Sequence, residues 1–520
     1  MSSGVLLSFV IGYFVLLLIV AYYTSRNSNN DSFFIGNKNS NWMLVAFGMI
    51  GTSLSGVTFV SVPGTVSTAG FSYFQVVIGY LLGYLVIAFV LLPIYYRLNL
   101  TSIHNYLQHR FGMVSYKTGA LFFIISRTLG ATARLYLVIN VLQLFILKDL
   151  NISFGLATFI ILLLILLYTF EGGVKTIVYT DTLQTTFMLL GLVVCIVYIM
   201  SSMDHSVSST LAELDKNQLI KIFNTDFNSS GHFLKSILGG MFITIGMTGL
   251  DQEMMQKNIS VRRLGDSQKN VMTFSIIMVV VNFLFLLLGG ILYLYGKANN
   301  VVVPGDDLFP TIALKGFMPA AISIIFIIGL ISALFPSADG ALTALTSSFC
   351  IDILGLKRRE DLSEKERKRR RLIVHFSFAI IFFIVVMFFK VMDSKSIIDI
   401  ILKVAGFTYG PLLGLFAFGI MTTRKINDKL ALYVCLLAPL LILGIDFVNN
   451  IEWWEKQLKL ESAWTNSVKD LSSSLFGQFK IGTELLIYNG ILTFIGLLII
   501  SKPQPISPEV QTIIENGNYK

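Results

Sequence analysis

From residue 5 to residue 501 the chain repeats one pattern, an apolar run of about 18 residues or more followed by a polar interval. Thirteen segments are long enough to cross hydrocarbon, at roughly 5–24, 42–66, 72–96, 118–147, 152–169, 178–200, 236–256, 272–296, 317–350, 373–390, 398–422, 429–447 and 483–501. Within lipid only helices and closed barrels satisfy their own backbone groups, and the ten-residue alternation of barrel strands is missing. The pattern therefore predicts an all-α polytopic membrane protein with 13 transmembrane helices. The first is expected to be retained, since its apolar run is long for a signal-peptide core and Met1-Ser2-Ser3-Gly4 brings no basic side chain.

Basic residues gather in alternate intervals: Arg26 and Lys38; Arg97, Arg110 and Lys117; Lys175; Lys257, Arg262, Arg263 and Lys269; the run from Lys357 to Arg371; and Arg424, Lys425 and Lys429. Such intervals face the cytoplasm, which puts the N-terminus outside and the C-terminus inside a plasma membrane. The longest outer loops are about 201–235 and 448–482, the second carrying Trp453, Trp454 and Trp464. The run from 357 to 371 holds nine basic and four acidic side chains and reads as an anchor on the inner lipid surface.

Composition agrees with this pattern. With 54% hydrophobic residues, 13% charged residues and a mean hydropathy of +0.74, too few charges exist to coat a soluble protein of this size, which excludes a soluble enzyme. The formal charge of +9 sits in short loops, where it sets topology and does not point to nucleic acid. Cys195, Cys350 and Cys435 all fall in apolar runs and read as packing residues. The five histidines, at 104, 109, 205, 232 and 375, are dispersed, and no zinc-protease, P-loop, dinucleotide or nucleophile-elbow signature occurs. His104 and His109, beside Arg110, read as surface residues and not as metal ligands.

Two segments look interrupted. Span 2 contains Gly48, Gly51, Thr52, Ser53, Ser55, Gly56 and Thr58, with Pro63-Gly64 beyond, which predicts a break near 51–56. Span 7 contains Gly239, Gly240, Gly246 and Gly249 ahead of Asp251-Gln252. Glycines also serve close helix contacts, but recurrence five spans apart is the mark of paired broken helices around a central binding site.

Ionisable groups at membrane depth are costly unless they pair, hydrate or hold a cation. Asp181 opens span 6, and Asp339 lies inside span 9 in Ala333-Leu334-Phe335-Pro336-Ser337-Ala338-Asp339. Pro336 loosens the helix and can free the Ala333 carbonyl, so mixed oxygens near Ser337 and Asp339 suit a hard ion such as sodium; a proton site or a structural ion pair is the alternative. Arg127 and Arg134, seven residues apart in span 4, share a helix face. They either pair with Asp181, Asp339 or Glu171, or one grips a substrate carboxylate. Lys403 in span 11 can snorkel, pair or face substrate. Asp251 reads as a cap or a partner of the basic loop after it.

Tyr168-Thr169-Phe170-Glu171-Gly172-Gly173-Val174-Lys175-Thr176 leading to Thr180-Asp181-Thr182-Leu183-Gln184, Thr248-Gly249-Leu250-Asp251-Gln252 leading to Gln256-Lys257, Leu54-Ser55-Gly56-Val57-Thr58-Phe59 and Ser348-Phe349-Cys350-Ile351-Asp352-Ile353 together resemble the sodium:solute symporter family, whose members share the inverted-repeat fold of the bacterial leucine transporter. The resemblance implies a first helix and inner loop (1–41), an inverted repeat over 42–200, an outer loop (201–235), the second repeat over 236–427, two closing helices with their outer loop (428–501) and a cytoplasmic tail (502–520). It implies a sodium site between spans 2 and 9, with the carbonyls of Gly51, Leu54 and Ala333 and the Ser337 hydroxyl as ligands. Pro336 replaces the adjacent hydroxyl of relatives. Asp181 matches a ligand of a second sodium found in some members, where Asp339 replaces a hydroxyl, so stoichiometry and proton participation stay open. Ser55, Thr58 and Gln75, with Arg127 or Arg134, line the implied cavity and are similar to the sialic-acid branch.

The expected protein is a monomeric symporter, not an enzyme, that carries a small polar organic solute with Na+ by alternating access. A carboxylate-bearing solute such as sialic acid is one expectation, and a sugar or amino acid is another. A channel-like cation conductor is the alternative from a different class; a sensor is disfavoured, as no output domain follows residue 501.

Overall fold

The structure, a computed structural model, describes residues 2–503 apart from 26–39, 101, 302, 304, 360, 393–396, 459 and 461–462, without the side chains at 25, 168, 170–175, 357 and 463. Arg26, Lys38 and the tail after residue 503 fall outside the described residues, and so do the side chains of Glu171, Lys175 and Lys357.

The chain is nearly all helix. The apolar runs become α1 (Ser3–Ser25), α2 (Trp42–Ala69), α3 (Phe74–Arg97), α4 (Asn105–Arg110), α5 (Met113–Leu147), α6 (Phe154–Ser202), α7 (Val207–Lys216), α8 (Phe233–Gly249), α9 (Gln252–Ile259), α10 (Leu264–Ala298), α11 (Leu308–Leu314), α12 (Ala320–Ile353), α13 (Glu364–Met392), α14 (Ile397–Thr408), α15 (Gly410–Met421), α16 (Ala431–Asn449), α17 (Ile451–Leu458), α18 (Ala463–Phe476) and α19 (Leu485–Ile499). The two long loops thus carry short helices of their own, α7 in the first and α17 and α18 in the second. One antiparallel pair, Lys425–Ile426 with Ser501–Lys502, ties the end of α19 to the α15–α16 connection.

Among the described residues nine helices are long and apolar enough to cross a membrane, or 11 if each of two bent pairs is one span. The expected 13 is not reached by this measure, because Phe154–Leu167 and Leu485–Ile499 are apolar but short. The bent pairs are α8 with α9, at 66°, and α14 with α15, at 47°. The first matches the interruption read from the glycines of span 7; the second, at Tyr409-Gly410-Pro411, went unread.

Burial sorts the helices into centre and rim. The most apolar stretches of α2 and α12 are 78% and 72% buried by protein, against 33% for α1 and 28% for α16. A lipid-facing helix buries only one stripe, so α2 and α12 are the inner elements and the rest form their wall. They pack on each other and on α6, α5 and α10, and this contact zone is where the site forms.

Candidate substrate and cation site

Helix α2 starts regularly, the Asn41 side chain capping it by accepting from the Met43 amide at 2.9 Å. Regularity fails at Ser55, whose backbone has φ 34° and ψ 170°. A residue with a Cβ reaches positive φ at a cost of about 1–2 kcal/mol, and such strain persists only where the surroundings hold it. A non-helical residue interrupts the regular ladder of a helix, and such an interruption can present carbonyl oxygens at membrane depth. The break lies inside the window expected from the sequence.

Around it opens a cavity at the meeting point of seven helices, with α9 contributing Met254. Thr52, Ser53, Ser55, Val57 and Thr58 of α2 form one wall, with Tyr80 and Tyr84 of α3 and Tyr73 just before it beside them. Arg127 and Arg134 come from α5, Thr244, Met247 and Thr248 from α8, Met278 and Asn282 from α10, and Ile398, Ile401 and Leu402 from α14. The Tyr73 and Tyr80 hydroxyls join at 2.9 Å. Hydroxyls, phenols, an amide and a guanidinium set among apolar side chains suit a small polar solute.

The two arginines have different fates. Arg127 is buried and paired with Glu253, and its Nε lies 3.5 Å from Asp251. Arg134, two turns along, lines the cavity with no hydrogen bond or ion pair among the described residues. Behind Arg127 the charges continue. Lys257 donates to Asp181 at 2.7 Å, Glu253 at 3.1 Å and the Thr52 hydroxyl at 2.6 Å, and Thr52 also reaches Asp181 at 3.1 Å. Gly340 admits Glu253, since a Cβ there would fall 2.0 Å from the carboxylate.

This corrects two expectations. Lys257 is not a loop residue marking the inner face: its side chain is 3% exposed inside the molecule, because α9 folds back after the bend and carries it inward. His104 is not a surface residue: it is fully buried, with Nδ1 2.9 Å from Asp352, which also accepts from Ser102, Tyr116 and Ser348. His109 is exposed as expected. Asp251 caps α9 as expected, accepting from the Glu253 and Met254 amides at 2.9 and 3.1 Å, but its charge partner is Arg127 and not the basic loop.

Of the other expected substrate residues, Ser55 and Thr58 line the cavity, whereas Gln75 and Lys403 are not among its lining residues. Gln75 donates to the carbonyls of Ser72 and Gly231 and accepts from the Asn224 amide, bracing the loop between α7 and α8. Lys403 pairs with Asp446 at 2.9 Å and lies over the Trp453 ring at 3.9 Å.

The oxygens expected to hold sodium sit where α2, α6 and α12 meet. A Cβ on Gly51 would lie 2.3 Å from the Thr185 hydroxyl and 3.5 Å from Pro336 Cγ, so only glycine lets the three helices close there. Leu54, Ala333, Ser337 and Asp339 are fully buried. Ser337 donates to the Leu334 carbonyl at 2.9 Å, which leaves its lone pairs open, and Asp339 accepts from the Gly340 amide at 2.5 Å. On α6, Asp181 Oδ1, the Gln184 amide and the Thr185 hydroxyl are buried without a hydrogen-bond partner among the described residues. Orphaned side-chain oxygens beside an interrupted helix fit a desolvated hard cation.

Glu253, Lys257 and Thr52 were missed as site residues. The signal was present: Asp251 as an N-cap right after Gly249-Leu250 announces a helix restart, and Glu253 and Lys257 at i and i+4 face one way on it.

Comparison with known proteins agrees with this geometry. The profile of the sodium:solute symporter family matches residues 33–437. The chain is 23% identical to the sodium/sialic acid symporter NanT of Aliivibrio fischeri, over 92% of this chain and 90% of that one. It is 23% identical to the sodium/sialic acid symporter SiaT of Proteus mirabilis, over 79% and 84%. The solved structure of a Na+-coupled sialic acid symporter in a substrate-bound outward-open state superposes with a TM-score of 0.77 at 19% identity, covering 96% of this chain and 99% of that chain, so the fold is shared. With a family profile spanning most of its length, the chain belongs to the sodium:solute symporter family and is a sodium-coupled membrane transporter.

Proposed function

We propose that the protein imports a small carboxylate-bearing polar solute of the sialic acid kind together with sodium, by alternating access around the broken centre of α2. The observation that carries this is Arg134 in the cavity wall, unpaired among the described residues and seven residues from an Arg127 already committed to Glu253 and Asp251. A guanidinium without an internal anion is a two-pronged donor for a carboxylate, and Ser55, Thr58, Asn282 and the Tyr73–Tyr80 pair supply partners for hydroxyl and amide groups. The names of the two bacterial relatives support the same solute class.

In this reading 13 spans cross the membrane, Phe154–Leu167 and Leu485–Ile499 counting as short ones, and the repeats cover 42–200 and 236–427. The N-terminus is outside and the C-terminus inside. One sodium takes the carbonyls of Gly51, Leu54 and Ala333 and the Ser337 hydroxyl, with Asp339 close by. Bound there, it joins the first half of α2 to α12 and so favours the state that receives solute. Solute and sodium then tighten each other's binding by the same factor.

Thermal stabilisation of the purified protein by N-acetylneuraminic acid, measured in sodium and in potassium, tests the proposal. Stabilisation is expected in sodium alone. Arg134→Lys should weaken it about tenfold or more and Arg134→Ala abolish it. Equal stabilisation in potassium would refute coupling, and unchanged affinity in Arg134→Ala would remove the carboxylate anchor.

A further inference from the structure

We infer that Lys257 is a resident cation: its ammonium fills the cation position at Asp181 where the sequence led us to expect a second sodium, so the chain binds one sodium per cycle. The inference rests on the reading of the chain as a sodium-coupled carrier and adds the stoichiometry of that same site.

The geometry is that of a coordinated ion. An ammonium has three protons to donate, and Lys257 directs them at three oxygens on three different helices: Thr52 of α2 at 2.6 Å, Asp181 of α6 at 2.7 Å and Glu253 of its own α9 at 3.1 Å. Side-chain exposure is 3% for Lys257, 0% for Asp181 and 4% for Glu253, so the site is closed to bulk solvent. Asp181 was the expected ligand of the second ion, and its Oδ2 now accepts from both Lys257 and Thr52. Oδ1 has no partner among the described residues, but a sodium at either oxygen of this carboxylate would have to expel the ammonium or lie close to it, like charge on like charge with little solvent between them.

The surrounding charges point the same way. Arg127 and Lys257 face the three carboxylates of Asp181, Asp251 and Glu253, with Glu253 shared between the two cations. The lysine is thus matched to a site that demands a cation, and removing it would recreate that demand. A dissolved ion in this position would leave on the inner side in each cycle. Lys257 is covalently fixed to the short half of a helix bent by 66°, so it can only move with α9. The lysine therefore joins α2, α6 and α9 as a second sodium would, yet adds no transported charge.

Radioactive sodium binding to the purified full chain, counted at saturation without solute, tests the inference. About one sodium per chain is expected for the wild type. In Lys257→Ala the count should rise to about two, and in the paired variant Asp181→Asn/Lys257→Met, which deletes cation and carboxylate together, it should return to about one. Two sodium ions bound to the wild type would overturn the inference while leaving the carrier intact. No sodium bound would instead overturn the sodium-coupled reading beneath it. If Lys257→Ala elutes as an aggregate, the wild-type count and the paired variant still decide: a paired variant that binds two shows that the lysine excluded an ion held by oxygens other than Asp181, which also overturns it.

Discussion

The two helix breaks that face each other across the cavity are built from opposite materials. The break in α2 is neutral: Gly51, Ser53, Ser55 and Gly56 offer carbonyls and hydroxyls, and the bend is carried by one strained serine. The break between α8 and α9 is charged: Asp251, Glu253 and Lys257 fall within seven residues, and each is paired to a group fixed in the protein. Free neutral oxygens can take and release a mobile ion, because leaving them unfilled costs a few hydrogen bonds and not an isolated charge. Paired buried charges cannot be left open in that way, so the second break serves as a brace. On the reading proposed above, the neutral break exchanges a cation and the charged break keeps one.

The sharpest way to break this comparison is to remove the centre of the brace. Glu253→Leu strips Arg127 of its nearest partner and Lys257 of one of three acceptors, and uncompensated buried charges of this kind cost about 3–5 kcal/mol. Thermal unfolding in detergent should show the largest loss of any single substitution near the cavity. Arg127→Leu/Glu253→Leu should recover much of it, because charge and countercharge leave together. A double variant no better than the single would show that the network does not act as paired charges.

At the neutral break, Ser55→Gly should move stability and binding in opposite directions. Glycine accepts φ 34° without a Cβ clash, so the fold gains about 1 kcal/mol, while the cavity loses the Ser55 hydroxyl and solute affinity falls several-fold. Ser55→Val should lose on both counts. A stabilised Ser55→Gly with unchanged solute affinity would place the solute elsewhere.

A third test uses the contact between the α10–α11 connection and the start of α14. Asp306, in the connection between α10 and α11, is buried and accepts from the Ile397 amide at the start of α14 at 3.1 Å. Burial first, then the nearby Asp399 and Asp307, push its carboxyl up to about 7, against the bonds from Ile397 and Ser61 that lower it. A pKa raised by folding stabilises the protonated form, so this contribution is present at low pH and lost as pH rises through about 7. Between pH 8 and pH 6 the wild type should therefore gain about 1 kcal/mol relative to Asp306→Asn, read as a difference between two unfolding curves. Parallel curves would show that Asp306 titrates outside this window.

How much of this was legible depended on whether the information was local. The break in α2 was readable because clustered Gly and Ser lower helix propensity at the residues where the bend occurs, and Ser55 lies within the expected 51–56. Apolar runs likewise marked the helices, though α14 and α15 were read as one straight span because a single bend at Tyr409-Gly410-Pro411 hardly changes hydropathy. Partner choice was not local. The seven-residue spacing placed Arg127 and Arg134 on one face, but which of them meets a carboxylate is set by where α9 crosses α5, and that follows from the 66° bend. Lys257 was misread for the same reason: counting positive charge assigns a lysine near a span end to the cytoplasm, and only the fold shows it turned inward onto Asp181.

Lys403 gives the smallest expected effect and the cleanest control for Arg134, since both are cations near the cavity in sequence terms and only one lines it. Its ammonium is held by Asp446 at 2.9 Å and by the face of Trp453 at 3.9 Å, and its side chain is 14% exposed. In Lys403→Met, Asp446 keeps two donors, Asn450 at 2.7 Å and the Trp454 indole at 2.9 Å, so the carboxylate is not stranded. The lost pair and cation–π contact should cost about 1 kcal/mol of stability or less. Solute affinity and the saturating sodium count should stay at wild-type values, measured in the same binding assays as Arg134→Ala. A solute affinity that falls as far as in Arg134→Ala would make Lys403 a second anion anchor and move the solute's negative end towards α14, away from the break at Ser55.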